Sequence, residues 1–280
     1  MNINPASSPL HIIHEDSHPI IGLIPAAGLA KRLSLHSGSK EMLPIQTGAP
    51  NASPRVVSEF LLEQMVGAGC QRAFFILRPG KFDIIEHFNN GANFGLPIGY
   101  LLMDAPYGPP FTISQAFPFI EGASVLTGFP DILMDPPDVC EQIVLKLRKS
   151  QADVVLATFP CGPEHGCDLA EVDSQGHIVK IVPKEYNPVW RDDSRTWLAA
   201  AWRYPFTTFF SDIVQKLRTE VDSMPANSNP EWPLGIILVE ALKAGMTLET
   251  VHFKKGRFLD IGTPERLAQA SAFIAMNNEH

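Results

Sequence analysis

The sequence is poor in cysteine, in basic residues and in long apolar runs. Its 280 residues include only four cysteines, which are scattered and suggest no disulfide framework, so we predict a reducing compartment, the cytoplasm. The formal net charge of −8 argues against a protein that holds nucleic acid by bulk electrostatics, though a nucleotide can still be bound by a few placed cations. No apolar run approaches the roughly 20 residues of a membrane helix, so no membrane contact is expected.

Familiar processing and nucleotide-binding motifs are also missing. Residues 1–18 lack a basic region followed by an apolar one, so we predict a polar tail and no signal peptide. Residues 22–30 do not match GxGxxG, and Lys40 is followed by Glu41 instead of Ser or Thr. Neither a dinucleotide fingerprint nor a Walker loop is therefore predicted.

Cys161, His165 and Cys167 form a cluster that invites a metal-binding interpretation. They supply only three ligands, and the CxxC spacing usual in structural zinc sites is absent. A loop with unpaired thiols is the simpler interpretation.

Apolar runs alternate with amphipathic segments over residues 19–160. This alternation predicts βαβ units and an α/β fold with a doubly wound, mainly parallel sheet. Around residues 170–182, a turn between two short apolar runs predicts a β-hairpin. The strands predicted for the first part are residues 20–24, 73–77, 99–103, 123–127 and 152–158, and the helices are residues 55–69, 82–88, 113–119 and 138–149.

The stretch that follows the first predicted strand has the character of a phosphate site. Small side chains occupy residues 25–30, and Arg32 and Lys40 follow. Small residues let the backbone approach a ligand and present N–H groups to an anion. Cations just downstream neutralise phosphate charge. Arg32 has an alternative interpretation as an ordinary helix residue.

Two aspartates are candidates for holding a divalent cation. Asp131 follows an apolar strand, at the sheet edge where open α/β folds bind ligands, and a carboxylate there suits Mg²⁺. It could equally cap the following turn. Asp260 has less structural reason to be acidic, because Thr263, Pro264 and Glu265 already form a good helix start. Lys184, taken alone, is most simply a solvated surface charge.

With these residues assembled, the chain resembles the sugar-1-phosphate nucleotidyltransferases, and among them the bacterial UDP-glucose and dTDP-glucose pyrophosphorylases. The resemblance runs from about residue 20 to residue 270. Its most specific motifs lie at the two ends of that span, and the motifs between them are weaker. The matching segments are IPAAGL at residues 24–29 with Arg32, KEMLP at 40–44, SQAF at 114–117, the surroundings of Asp131, Lys184, and LDIGTPE at 259–265.

The resemblance implies a Mg²⁺-dependent reaction in which a sugar 1-phosphate attacks the α-phosphorus of a nucleoside triphosphate, UTP or dTTP being favoured. It implies nucleotide binding by residues 19–160 and sugar binding within residues 161–280, in one domain spanning 19–280, and it allows a homo-oligomer. The implied catalytic residues are Arg32, Lys40 and Asp131, and the metal ligands are Asp131 and Asp260. The implied nucleotide contacts are Pro25, Ala26, Ala27, Gly28, Met103 and Gly108, and the sugar-phosphate contacts are Lys184 and Gly166.

Two departures from the family pattern leave alternatives open. Ala30 and Lys31 stand where the family has Gly-Thr before the arginine, and Pro183 replaces the Glu of its Glu-Lys-Pro motif. A Cβ at position 30 restricts the backbone, and Pro183 cannot accept a hydrogen bond from a sugar hydroxyl through its side chain. One alternative is a non-catalytic protein that binds a sugar nucleotide. Another is a cytidylyl- or guanylyltransferase with a different phosphorylated acceptor.

Overall fold

A computed structural model describes residues 18–28, 38–47, 53–103, 107–186, 188–225, 228 and 230–277. Its strands are β1 (Ile20–Ala26), β2 (Pro44–Ile45), β3 (Arg55–Val56), β4 (Arg72–Leu77), β5 (Ile98–Leu102), β6 (Ser124–Gly128), β7 (Ile132–Asp135), β8 (Val154–Pro160), β9 (Leu169–Val172), β10 (Ile178–Val182), β11 (Arg195–Trp202), β12 (Leu248–His252) and β13 (Arg257–Asp260). Its α-helices are α1 (Val57–Gly67), α2 (Phe82–Phe88), α3 (Pro109–Ser114), α4 (Val139–Lys149), α5 (Tyr204–Asp222), α6 (Gly235–Lys243) and α7 (Pro264–Asn277).

The centre of the fold is a seven-stranded sheet in the order β12-β8-β11-β6-β1-β4-β5. β1 pairs in parallel with β4 and β6, β4 with β5, and β8 with β12. Only β11 among these strands runs antiparallel to its neighbours, β6 and β8. The prediction of an α/β protein with a mainly parallel sheet is therefore confirmed.

Each face of this sheet is covered by its own apolar core. Successive side chains of a strand point to opposite faces, and in β1 Ile24 belongs to one core while Leu23 belongs to the other. The first core includes buried side chains of α1 and α4, and the second those of α5 and α6. With both faces covered, the strands can be apolar throughout, which explains the continuous runs in the sequence.

Two small elements outside the main sheet carry residues of interest. β7 and β13 pair antiparallel, with Asp260 opposite Ile132. β9 and β10 also pair antiparallel, which confirms the predicted hairpin. A third, smaller apolar cluster packs α7 against the β7 and β13 pair through Leu133, Ile261 and Ala270.

The largest difference from the predicted elements is at residues 113–119, where one helix was expected. The structure has α3 ending at Ser114 and a separate 3-10 turn at Phe117–Phe119. Pro118 lacks the N–H that a continuing helix needs, and α3 begins earlier because Pro109 occupies its first position. Residues 55–56, predicted as helical, pair as β3 with β2.

Among the described residues, no helix is both long and apolar enough to cross a membrane.

Candidate functional site

The carboxyl end of β1 opens the candidate site. Pro25 and Ala26 are the last residues of β1, and the side chains of Ala26 and Ala27 are buried in the core. Gly28 is the first exposed residue. A Cβ at Gly28 would lie 3.6 Å from the Nζ of Lys40. Gly28 therefore lies beside one of the predicted cations.

Lys40 points at Asp131. Its Nζ donates a hydrogen bond of 2.5 Å to Asp131 Oδ2, across 91 residues of sequence, and the Lys40 and Asp131 side chains are 23% and 11% exposed. Lys40 lies on a 3-10 turn, Lys40–Met42, and Asp131 lies between β6 and β7. Lys40, a predicted phosphate-binding cation, and Asp131, a predicted metal ligand, therefore lie in one site.

Asp260 lies beside Asp131 because β13 pairs with β7. Asp260 is the register partner of Ile132, and the Ile261 N–H donates to the carbonyl oxygen of Asp131 at 2.8 Å. The pairing of these two strands thus brings together carboxylates that are 129 positions apart in the numbering. The structure juxtaposes the two predicted metal ligands.

Cations neutralise both carboxylates in this structure. Burial lowers the pKa of Lys40, but attraction to Asp131, with smaller contributions from Glu41 and Asp260, outweighs it and leaves the pKa raised. Arg266, near the start of α7, places a guanidinium nitrogen 3.8 Å from Asp260 Oδ2. Arg266 was not predicted from the sequence, because the motif LDIGTPE at residues 259–265 ends one residue before it.

The two aspartates fit a magnesium ion in their chemistry. Mg²⁺ is usually held by one or two protein carboxylates, with water and substrate phosphates completing its shell. Asp131 and Asp260 supply such a pair beside a phosphate-type loop. Among the described residues, no group of three or more His, Cys, Asp and Glu is arranged to hold a metal by itself.

The remaining predicted residues of the nucleotide half are Arg32, Met103 and Gly108. Arg32, with Ala30 and Lys31, lies outside the described residues. Met103 follows the carboxyl end of β5, and the Thr112 hydroxyl lies 3.7 Å from its Sδ. Gly108 precedes α3 with a φ of 99°. Roles for Met103 and Gly108 toward a nucleotide stay predictions.

The predicted sugar-phosphate residues lie on the hairpin side of the fold. Lys184 has an exposed side chain, and its backbone N–H donates to Asp168 Oδ1 at 3.0 Å. Burial raises the pKa of Asp168, and the hydrogen bond from Lys184 opposes that rise. Gly166 is exposed, with a φ of 57°.

One set of contacts connects the hairpin side to Asp260. Arg266 Nη2 donates to the carbonyl oxygen of Glu164 at 2.9 Å. The His165 ring lies 4.7 Å from the ring of Phe258 on β13. The turn that precedes Gly166 is therefore attached to the strand that carries Asp260.

Comparison with known proteins identifies the fold. No protein-family model and no curated protein matches the sequence. A crystal structure of a protein assigned as a glucose-1-phosphate thymidylyltransferase from Bacillus anthracis, in complex with a sucrose, superposes with a TM-score of 0.72 at 17% identity, covering 91% of this chain and 95% of that one. A UDP-glucose pyrophosphorylase complexed with UDP-glucose gives a TM-score of 0.70 at 18% identity, covering 94% and 100%. The chain has the α/β fold of these sugar-phosphate nucleotidyltransferases over nearly its whole length.

Proposed function

We propose that the chain transfers a nucleotidyl group from a nucleoside triphosphate to a sugar 1-phosphate, releasing pyrophosphate. The observation that carries the proposal is the convergence of Gly28, Lys40, Asp131 and Asp260 at one end of the sheet. In open α/β sheets this carboxyl end is where ligands bind. The fold shared with the thymidylyltransferase and the UDP-glucose pyrophosphorylase gives independent support.

In this reaction an oxygen of the sugar phosphate forms a bond to the α-phosphorus, and the bond to the pyrophosphate oxygen breaks. Phosphoryl-type transfers rely mainly on positioning and on charge stabilisation. Lys40 would neutralise the triphosphate, and the exposed backbone at Gly28 would allow its close approach. Arg32 would stabilise the leaving pyrophosphate, and Lys184 would hold the sugar phosphate.

Asp131 and Asp260 would hold Mg²⁺, which supplies charge neutralisation and orientation of the phosphates when bound. With Mg²⁺ on these carboxylates, the Lys40 ammonium would be available to the triphosphate. In this structure Lys40 contacts Asp131, and Arg266 lies near Asp260.

The proposal is tested by a matrix of nucleoside triphosphates against sugar 1-phosphates, with pyrophosphate release as the measurement. We expect release for at least one pair, with UTP or dTTP preferred, and we expect it to require Mg²⁺. For Asp260→Asn, turnover should fall about a hundredfold or more, the size typical for losing one preorganised electrostatic group. Lys40→Met should lower turnover by a similar factor.

The matched control is Asp138→Asn, which removes an exposed carboxylate whose side-chain contact is with Gln142. That variant should keep the turnover of the unmodified protein. Unchanged turnover in Asp260→Asn would contradict the metal assignment. Binding of a nucleotide with no pyrophosphate from any pair would favour the non-catalytic alternative.

A further inference from the structure

The turn that carries Lys40 is held on both sides by side chains from the start of α2. On one side, Asp83 accepts the backbone N–H of Ser39 through Oδ2 and its hydroxyl through Oδ1, each at 2.7 Å. On the other side, Lys81 Nζ donates to Glu41 Oε2 at 2.6 Å. Both neighbours of Lys40 are therefore fixed by a segment about 40 residues away in the chain.

The ion pair between Glu41 and Lys81 is almost completely buried. The Glu41 side chain is 0% exposed and that of Lys81 is 4% exposed. Glu41 also receives a hydrogen bond on its carbonyl oxygen from the Ser58 hydroxyl, at 2.7 Å. Its carboxylate oxygen Oε1, although buried, has no hydrogen-bond partner in the part of the chain that the structure describes.

This pair is poorly explained by stability alone. Burial raises the pKa of Glu41, although attraction to Lys81 opposes the rise. Burial also lowers the pKa of Lys81, against the attraction of Glu41. Both pKa shifts disfavour the charged forms of Glu41 and Lys81, and a well-packed apolar pair would often be as stable or more stable. What an apolar pair would not supply is a directional bond that fixes the turn.

We propose that Lys81 and Asp83 are positioning residues that fix the Lys40 ammonium against Asp131. The inference rests on the proposed function, in which Lys40 contacts the triphosphate. A displacement of about 1 Å in a group that positions a substrate can lower the rate about a hundredfold. Two anchors on either side of one reactive side chain limit such a displacement.

Two variants remove the anchors separately. Asp83→Ala removes both bonds to Ser39, and Glu41→Met with Lys81→Met replaces the buried pair by apolar side chains. The matched control is Glu240→Met with Lys243→Met, which replaces an exposed pair joined at 2.7 Å on α6. If Asp83→Ala does not fold, Ser39→Ala removes only the hydroxyl bond and takes its place.

Two measurements are made on each folded variant, well below its Tm. The first is acetylation of Lys40 by acetic anhydride at one fixed pH, quantified by peptide mass spectrometry relative to the exposed Lys254. The second is kcat/KM for the best substrate pair. We expect both anchor variants to acetylate Lys40 faster, and to lower kcat/KM by about a hundredfold, while the control changes neither.

The outcomes separate positioning from stability and from the proposed function. If the anchor variants lower only the Tm and leave Lys40 acetylation unchanged, the pair is structural and the inference is wrong. If the unmodified protein releases no pyrophosphate with any pair, the proposed function fails, and acetylation still decides whether Lys81 and Asp83 hold Lys40. Faster acetylation with unchanged kcat/KM would also overturn the inference, because the position of Lys40 would then not matter to turnover.

Discussion

Gly108, a predicted nucleotide contact, is required by the fold itself. Its φ of 99° lies in the region that favours glycine. A Cβ there would lie 2.3 Å from the carbonyl oxygen of Trp232, and the Trp232 N–H donates to the Tyr107 carbonyl oxygen at 3.0 Å. Two backbone segments therefore meet at a position where only glycine fits.

For Gly108→Ala we expect a large loss of stability, because the Cβ meets rigid backbone and not a flexible side chain. With its ψ of 178°, this backbone conformation is essentially restricted to glycine and costs about 1–3 kcal/mol for another residue, and overpacking adds about 1–3 kcal/mol. The matched control is Gly122→Ala, where φ is 70° but no atom lies within 4 Å of the added Cβ. Urea unfolding should show a clearly larger loss for position 108; equal losses would mean that the contact with Trp232 relaxes freely.

At the scale of elements, the pairing of β7 with β13 makes the candidate site. Sequence patterns predicted the strands of the main sheet well, because apolar runs such as that of β1 are buried on both faces. They did not predict β7 or β13. Every residue of β13 is half-buried, so this strand has no alternation of buried and exposed side chains that a sequence pattern could reflect. Asp131 and Asp260 were nevertheless predicted as metal ligands, from their local context and from the family resemblance, and the structure places them side by side.

The anchors of Lys40 could not be found in the same way. Glu41 is a charged residue beside an apolar cluster, which is a weak signal for a buried acid, and nothing in the sequence indicates Lys81 as its partner. Pairing between residues 40 positions apart depends on how α2 packs, a tertiary property that local patterns do not encode. The hydrogen bond from Arg266 to the Glu164 carbonyl likewise depends on tertiary packing and is not indicated by local sequence patterns.

Arg257 stabilises the pair of strands that positions both carboxylates. Its guanidinium donates twice to Asp135 Oδ2, at 3.1 and 2.8 Å, and lies 5.1 Å from the ring centroid of Phe273 on α7. For Arg257→Met we expect faster hydrogen exchange at the Ile261 amide, which bonds to Asp131, because β13 loses its cross-strand ion pair. The pair is partly exposed, so the loss of global stability should be at most about 1 kcal/mol.

The control for this prediction is Lys180→Met, which removes an exposed ion pair with Glu171 on the hairpin of β9 and β10. It should leave exchange at Ile261 unchanged. Equal exchange in the Arg257 variant and the unmodified protein would show that Leu259, Ile261 and the rest of the apolar cluster hold β13 without the ion pair.

On the scale of the whole molecule, the core that covers one face of the sheet contains two thiols. Cys70 follows α1 and Cys140 lies at the start of α4, and both are buried in the same cluster. The Cys140 N–H donates to Gln64 Oε1 at 3.3 Å, which joins the two helices. Burial raises the pKa of Cys70 to about 12 and raises that of Cys140 still further. Ionising either thiol thus opposes the packing of α1 on α4.

Folding stability should therefore fall as the pH rises above about 9, the region in which a solvated thiol loses its proton. Above that pH the unfolded chain releases thiol protons that the native state retains, so the unfolded state binds fewer protons and the free energy of unfolding decreases with pH. Each thiol contributes a slope of about 1.4 kcal/mol per pH unit, up to the pKa of about 12 for Cys70. Urea unfolding between pH 8 and 10.5 measures this slope.

In Cys70→Ala with Cys140→Ala the protein should be less stable at pH 8, because cavities form, but its stability should decline less steeply with pH. The same double substitution at Cys161 and Cys167 is the comparison: a hydrogen bond between these two thiols raises the pKa of Cys161 and lowers that of Cys167, and because the two shifts partly offset each other we expect a smaller change of slope. A slope that survives removal of Cys70 and Cys140 unchanged would assign the alkaline loss to other groups, with Tyr100, whose pKa burial raises to about 12, the first to replace by Phe.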